Sequence, residues 1–120
     1  MAESIEIIEK RNYLLAVYIG KFSVQAARQT IDQIVQAIPE NRLRAVLLDC
    51  RNLTGRLSIM DRYQTAIYGQ HMIGRVSKLA LVRPREMIGA DRFMETVAVN
   101  RGIYLRLFED IGEAIAWLEG

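Results

Sequence analysis

Cysteine is almost absent from this chain: Cys50 is the only one. An internal disulfide and a multi-cysteine metal site are therefore excluded. Cys50 directly follows an apolar run and reads as a small apolar residue. Histidine is equally scarce. His71, the only one, has no cysteine, acid or serine at relay spacing and is expected at a helix end or on the surface. No apolar run approaches the ~18 residues of a membrane span. The opening MAESIEIIEKRN has neither the basic start nor the apolar core of a signal peptide, so a cytoplasmic location is expected. There is no Gly-rich phosphate loop, metal-ligand cluster or nucleophile elbow, so neither an enzyme nor a cofactor is expected. Nucleic acid is not an expected partner either, because the basic residues lack interleaved aromatics and any recognition motif.

What remains is an ordinary globular composition, 51% hydrophobic and 25% charged over 120 residues, which points to one domain spanning residues 1–120. The net charge of +2 is small, but its distribution is not even. Nine basic residues and only two acids, Asp49 and Asp61, lie between Arg42 and Arg85. Arginines outnumber lysines thirteen to three, which favours planar, bidentate recognition of oxyanions.

Ser4–Glu9 alternates like a half-exposed strand, and Tyr13–Ile19 forms a second strand closed by Gly20. Ser23 is an N-cap for a helix whose apolar face is Val24, Ala27, Ile31, Ile34, Val35 and Ile38, ending at Pro39. Arg44–Asp49 is a continuous apolar run, hence a buried strand. The next helix spans Ser58 to about Met72, and Ser58 and Asp61 have capping-box spacing. Ser77–Val82 is a strand ended by Arg83-Pro84. A loop carrying Met87, Ile88 and Gly89 follows, then a helix over Asp91–Arg101 capped by Gly102. Ile103–Phe108 is the last strand, and Ile111, Ala114, Ile115 and Leu118 mark a closing helix with Trp117 as a packing anchor. The order β-β-α-β-α-β-α-β-α predicts an α/β fold: a mixed, mostly parallel five-stranded sheet covered by about four helices.

Four stretches, VLLDCRNLTG, LSIMDRY, ADRFMETVAVNRG and LRLFEDIGEAIAWL, resemble the STAS domain of sporulation anti-anti-sigma factors. More closely, they resemble the bacterial SpoIIAA-like superfamily of small, mostly uncharacterised proteins. The resemblance covers nearly the whole chain. It implies a non-enzymatic regulatory or protein-interaction domain. In anti-anti-sigma factors a kinase partner phosphorylates a serine at the start of the helix after the central strand, which abolishes their binding. Ser58 is the nearest positional match and Thr54 a second hydroxyl. The family's paired serines before a glycine are replaced here by Thr54-Gly55 and then Ser58-Ile59-Met60-Asp61. A broader likeness of SpoIIAA-like proteins to lipid-binding CRAL-TRIO domains implies an alternative, a carrier of a small anionic or amphipathic ligand.

Two readings stand at each candidate site. Ser58 is an N-cap, and a cap is also a presented hydroxyl beside Arg56 and Arg62. Arg51, Arg56, Arg83 and Arg85 follow strand ends and, if their strands are parallel neighbours, share the edge where open α/β sheets bind ligands. The alternative is that these arginines pair with Asp49, Glu86 or Asp91. Met87 and Ile88 either dip into a membrane surface or partner groove, or fold back over the core. Met60, Tyr63, Tyr68, Met72 and Ile73 exceed what one helix face needs. The core takes most of that surplus, and the rest is available to line a cavity or a dimer surface.

Overall fold

Two runs of alternating faces build the centre of this molecule. The computed structural model describes residues 4–120. In strand β3 (Arg44–Asp49), Val46 and Leu48 face one side of the sheet while Ala45 and Leu47 face the other. Strand β5 (Val76–Val82) repeats the division, with Leu79 and Leu81 opposite Ala80 and Val82. Both sides are covered, so both sets are apolar and the runs read as continuous rather than alternating.

Strand β1 (Ser4–Glu9) pairs antiparallel with β2 (Leu14–Lys21). Strands β2, β3, β5 and β6 (Leu105–Phe108) are parallel neighbours, giving the order β1-β2-β3-β5-β6. The sheet has a sixth member that the sequence reading lacks. Strand β4 (Leu53–Thr54) pairs with the end of β2, Gly20 against Leu53 and Lys21 against Thr54. Two residues are too few to carry a periodicity of their own.

Helices α1 (Val24–Ala37), α2 (Ile59–Tyr68) and α3 (Arg85–Asn100) pack on one side, where Ile31, Ile34, Ala66, Met94 and Ala98 meet Leu14, Ala16, Val46, Leu79 and Leu105. Helix α4 (Ile111–Glu119) covers the other side, burying Ala114 and Leu118 against Leu47, Ala80 and Val82, with Trp117 packed beside them. Ser23, Ser58 and Asp110 each accept a backbone N–H at a helix start, worth about 1 kcal/mol apiece.

Strand ends shift by one or two residues, the last strand starting at Leu105 rather than Ile103, and two helix boundaries move further. The second helix stops at Tyr68 and tightens into a 3₁₀ turn over Gly69–Met72. The third begins at Arg85 rather than Asp91, because Pro84 has no N–H to lose and its fixed φ suits a helix entry. Met87, Ile88 and Gly89 are therefore helical, and Ile88 packs against the core instead of standing in a loop. Ile34 is fully buried under the sheet. Ile34→Ala is expected to lower unfolding stability by roughly 2–5 kcal/mol, read as a reduced midpoint with unchanged slope in urea titration.

Candidate functional site

The segment between β3 and α2 is tied by hydrogen bonds to itself and to β2 and β5. Cys50 N–H donates to Val82 O, and Leu53 N–H to Cys50 O. Thr54 Oγ1 donates to Gly20 O at 3.2 Å, so this hydroxyl fastens β4 to β2. Gly55 has φ +94°, and a Cβ there would meet Lys21 Cγ at 3.4 Å. Glycine is the residue that turns here without strain.

Ser58 then caps α2 reciprocally. Its hydroxyl accepts Asp61 N–H at 3.0 Å, and Asp61 Oδ2 accepts Ser58 N–H at 3.0 Å. The pair satisfies two helix-terminal donors and leaves the serine exposed. Beside it, Ile59 is 71% and Met60 60% exposed, and Tyr63 is also exposed. Arg101 lies over the Tyr63 ring and donates to its hydroxyl. Three apolar side chains at one helix start are thus left out of the core.

The arginines divide into two groups. Strands β3 and β5 are parallel neighbours, which places the residues after both at one sheet edge. Arg62 and Arg83 nevertheless turn inward. Asp91, 0% exposed, takes Arg62 Nε on one oxygen at 2.9 Å and Arg83 Nε on the other at 2.7 Å. Arg62 Nη1 also donates to Leu57 O, and Arg83 Nη1 to Cys50 O. Arg51 folds back on Asp49 with two hydrogen bonds, at 2.9 and 2.8 Å. Arg56 remains exposed. Arg85 is 3.8 Å from Glu109 and, with Ile88, Arg92 and Arg106, lines a cleft of about 580 Å³ between α3 and β6.

Burial raises the Asp49 carboxyl, but hydrogen bonds from the Arg51 side chain and backbone, with the Arg51 charge, outweigh it. The group therefore titrates below the usual carboxylate value. Burial pushes the Cys50 thiol up to about 12 against the pull of Arg83, so Cys50 is a packed thiol rather than a nucleophile.

Under the three helices lies a cavity of about 90 Å³, lined by apolar residues of β3, β5, β6, α1, α2 and α3. Leu53, Leu57 and Phe22 are among its half-buried walls. Arg83 and Cys50 line it, as does Thr65, whose buried Oγ1 has no hydrogen-bond partner. Sequence spacing carries no sign of Thr65 or of the cavity, because the void lies between elements remote in sequence. Asp91 is visible in the sequence as a pairing acid but not as the centre of a buried pair. His71 is exposed, with Nδ1 against Tyr68 O at 2.8 Å and its ring against the Tyr68 ring. Among the described residues, no group of three or more His, Cys, Asp or Glu could hold a metal ion, and no helix is long and apolar enough to cross a membrane.

No protein-family model matches the chain, and no curated protein matches it. Solved structures do, among them two that match over nearly the whole chain. One is an uncharacterised DUF3478-family protein with a SpoIIAA-like fold from Shewanella loihica PV-4, with TM-score 0.64 and 20% identity over 97% of this chain and 93% of that one. The other is an anti-sigma factor antagonist from Mycobacterium paratuberculosis, with TM-score 0.65 and 12% identity over 99% of this chain and 96% of that one. The chain has the SpoIIAA-like, STAS-type fold.

Asp91→Asn leaves two buried guanidiniums without a counter-charge, and a loss of roughly 3–5 kcal/mol is expected in urea unfolding. Replacing Arg62, Arg83 and Asp91 together by Met, Met and Leu is expected to recover most of it. The Asp49 carboxyl, depressed when folded, contributes stability that is full above its unfolded value of ~3.9 and lost as pH falls through its folded value. Arg51→Ala should therefore separate from the parent in urea midpoint near neutral pH and converge with it in acid.

Proposed function

We propose that this protein is a non-enzymatic, STAS-like regulatory or protein-interaction domain whose contact surface is the β4–α2 segment, with Ser58 as the residue that controls it. One observation carries the reading. Ile59, Met60 and Tyr63 are exposed together at a helix start, next to an exposed serine. Apolar side chains outside the core and grouped at one end of a helix favour a partner surface.

A phosphate on Ser58 would sit at the positive end of α2, where an anion is favoured. It would also meet the Asp61 carboxylate that now accepts Ser58 N–H. Like-charge repulsion would expel Asp61 from the cap while phosphate oxygens take over the helix-end donors. The contact surface changes and the core does not. An anti-sigma-type kinase is a fitting partner, supported by the fold shared with an anti-sigma factor antagonist.

The cavity favours a second reading, a carrier of a small amphipathic or anionic ligand. Its walls are almost wholly apolar, with Tyr18, Thr30, Cys50, Thr65 and Arg83 the polar residues among them, the composition of a small-ligand site. In this reading the membrane-facing role expected of Met87 and Ile88 passes to Ile59 and Met60, the side chains that are exposed.

The interaction reading is tested by pull-down from the native cytosol with four baits: parent, Ser58→Ala, Ser58→Asp and Met60→Glu. A partner held by the parent and Ser58→Ala but lost from the other two is the expected result. The same partner set on all four baits would refute it. Ser58→Ala itself is expected to cost only about 1 kcal/mol of stability.

A further inference from the structure

We propose that the outer edge of β6 receives an extended segment of a partner protein as an added antiparallel strand, with an acidic residue of that segment opposite Arg106. None of the residues involved belongs to the β4–α2 segment, so the inference stands apart from the reading of Ser58.

Backbone pairing is the first argument. Strand β6 pairs only with β5 and ends the sheet. Leu79 N–H donates to Tyr104 O, and Arg83 N–H to Phe108 O. Even-numbered residues of β6 therefore face β5, and alternation turns the main-chain groups of Leu105 and Leu107 outward. Leu105 N–H is held by Ile103 O. Leu107 N–H is held by a side chain: Glu95 Oε2 accepts it at 3.0 Å, while Arg92 Nη1 donates to Glu95 Oε1 at 2.8 Å. A carboxylate oxygen thus stands where the carbonyl of a neighbouring strand would stand. Leu105 O and Leu107 O lie on the same open edge.

Space is the second argument. The cleft of about 580 Å³ runs along this edge and takes its lining from both faces of it. Arg85, Ile88 and Arg92 of α3 lie on one side, and Arg106, Phe108 and Glu113 on the other. A strand edge beside a helix offers main-chain bonds for affinity and side-chain contacts for choice.

Three arginines and three glutamates line the cleft, so net charge selects nothing there. Position does the selecting. An added strand forms its hydrogen-bonded pairs opposite Leu105 and Leu107, which puts the residue opposite Arg106 in the closer, non-hydrogen-bonded pair. Arg106 is exposed, lies over the Phe108 ring and, among the described residues, makes no ion pair. An aspartate or glutamate directly opposite is favoured. The flanking residues turn to the α3 side, towards Ile88, and suit branched apolar side chains. A second copy of β6 is the poorer occupant, because two-fold pairing about this position sets Arg106 against its own copy.

The test is an amide NMR titration of the full chain with the blocked peptide Ser-Thr-Val-Glu-Val-Thr-Ser. One control peptide carries lysine in place of the glutamate, and the other carries N-methyl groups on both valines. Shifts at Leu105–Phe108 and Glu95 are expected with the first peptide. Affinity should fall about threefold or more for the lysine control and at least about tenfold for the N-methylated one. Glu95→Ala clears Leu107 N–H and should bind the first peptide about tenfold more tightly. If that variant does not fold, the ranking on the parent protein decides alone. Undiminished binding of the N-methylated peptide would overturn the added strand, and undiminished binding of the lysine peptide would overturn the acidic residue opposite Arg106. Dimerisation of the parent with the same shifts in the absence of peptide would assign the edge to a second copy and overturn the proposal. Absence of β6 shifts with the first peptide would overturn it as well.

Discussion

A single carboxylate holds the helical side of this molecule together. Asp91 belongs to α3, Arg62 to α2, and Arg83 to the segment leaving β5, and each guanidinium takes a different oxygen of Asp91. The second donor of each arginine reaches a carbonyl, Leu57 O ahead of α2 and Cys50 O after β3. The loop after β3, the start of α2, the exit of β5 and α3 are thereby pinned at one sheet edge. Such an arrangement contributes little net stability compared with apolar replacements, because burying each charge costs several kcal/mol. What it supplies is direction. A hydrogen-bonded fork has one geometry, whereas apolar helix faces slide over one another at small cost.

That fork also explains why a cavity and an exposed apolar surface lie so close together. Leu57 lines the cavity, its carbonyl accepts Arg62, and the next residue, Ser58, caps α2. The interior wall, the buried ion pair and the helix start are consecutive in the chain. Arg62 holds the first turn of α2 in place, so Ile59 and Met60 stay on the outside. Burying them would require the turn to rotate, and the rotation would strip Asp91 of one partner.

Much of the fold can be read from periodicity. The continuous apolar runs of β3 and β5 mark strands buried on both sides, and α1 shows its face and its Ser23 cap without ambiguity. Strand β4 has two residues and is defined only by its pairing with β2. The start of α3 is obscured by Arg83-Pro84 and Gly89, which resemble turn chemistry although Pro84 opens the helix. At the candidate site, the Ser58–Asp61 box follows from a three-residue spacing. The fate of the arginines does not, since pairing with an acid 29 residues away, as Arg62 does with Asp91, has no local signature.

The sequence by itself therefore determined the element types, the parallel α/β class, the helix caps and the location of a polar loop after the central strand. All of these depend on neighbours within about one helical turn or one strand pair, where side-chain period and hydrogen-bond reach are short. Tertiary structure alone decided which arginines are sequestered and which face solvent. It also decided that Met87 and Ile88 lie on a helix and that a cavity remains beneath α2. Burial and close packing are properties of segments brought together from across the chain, and their outcome is set by the shapes that meet there.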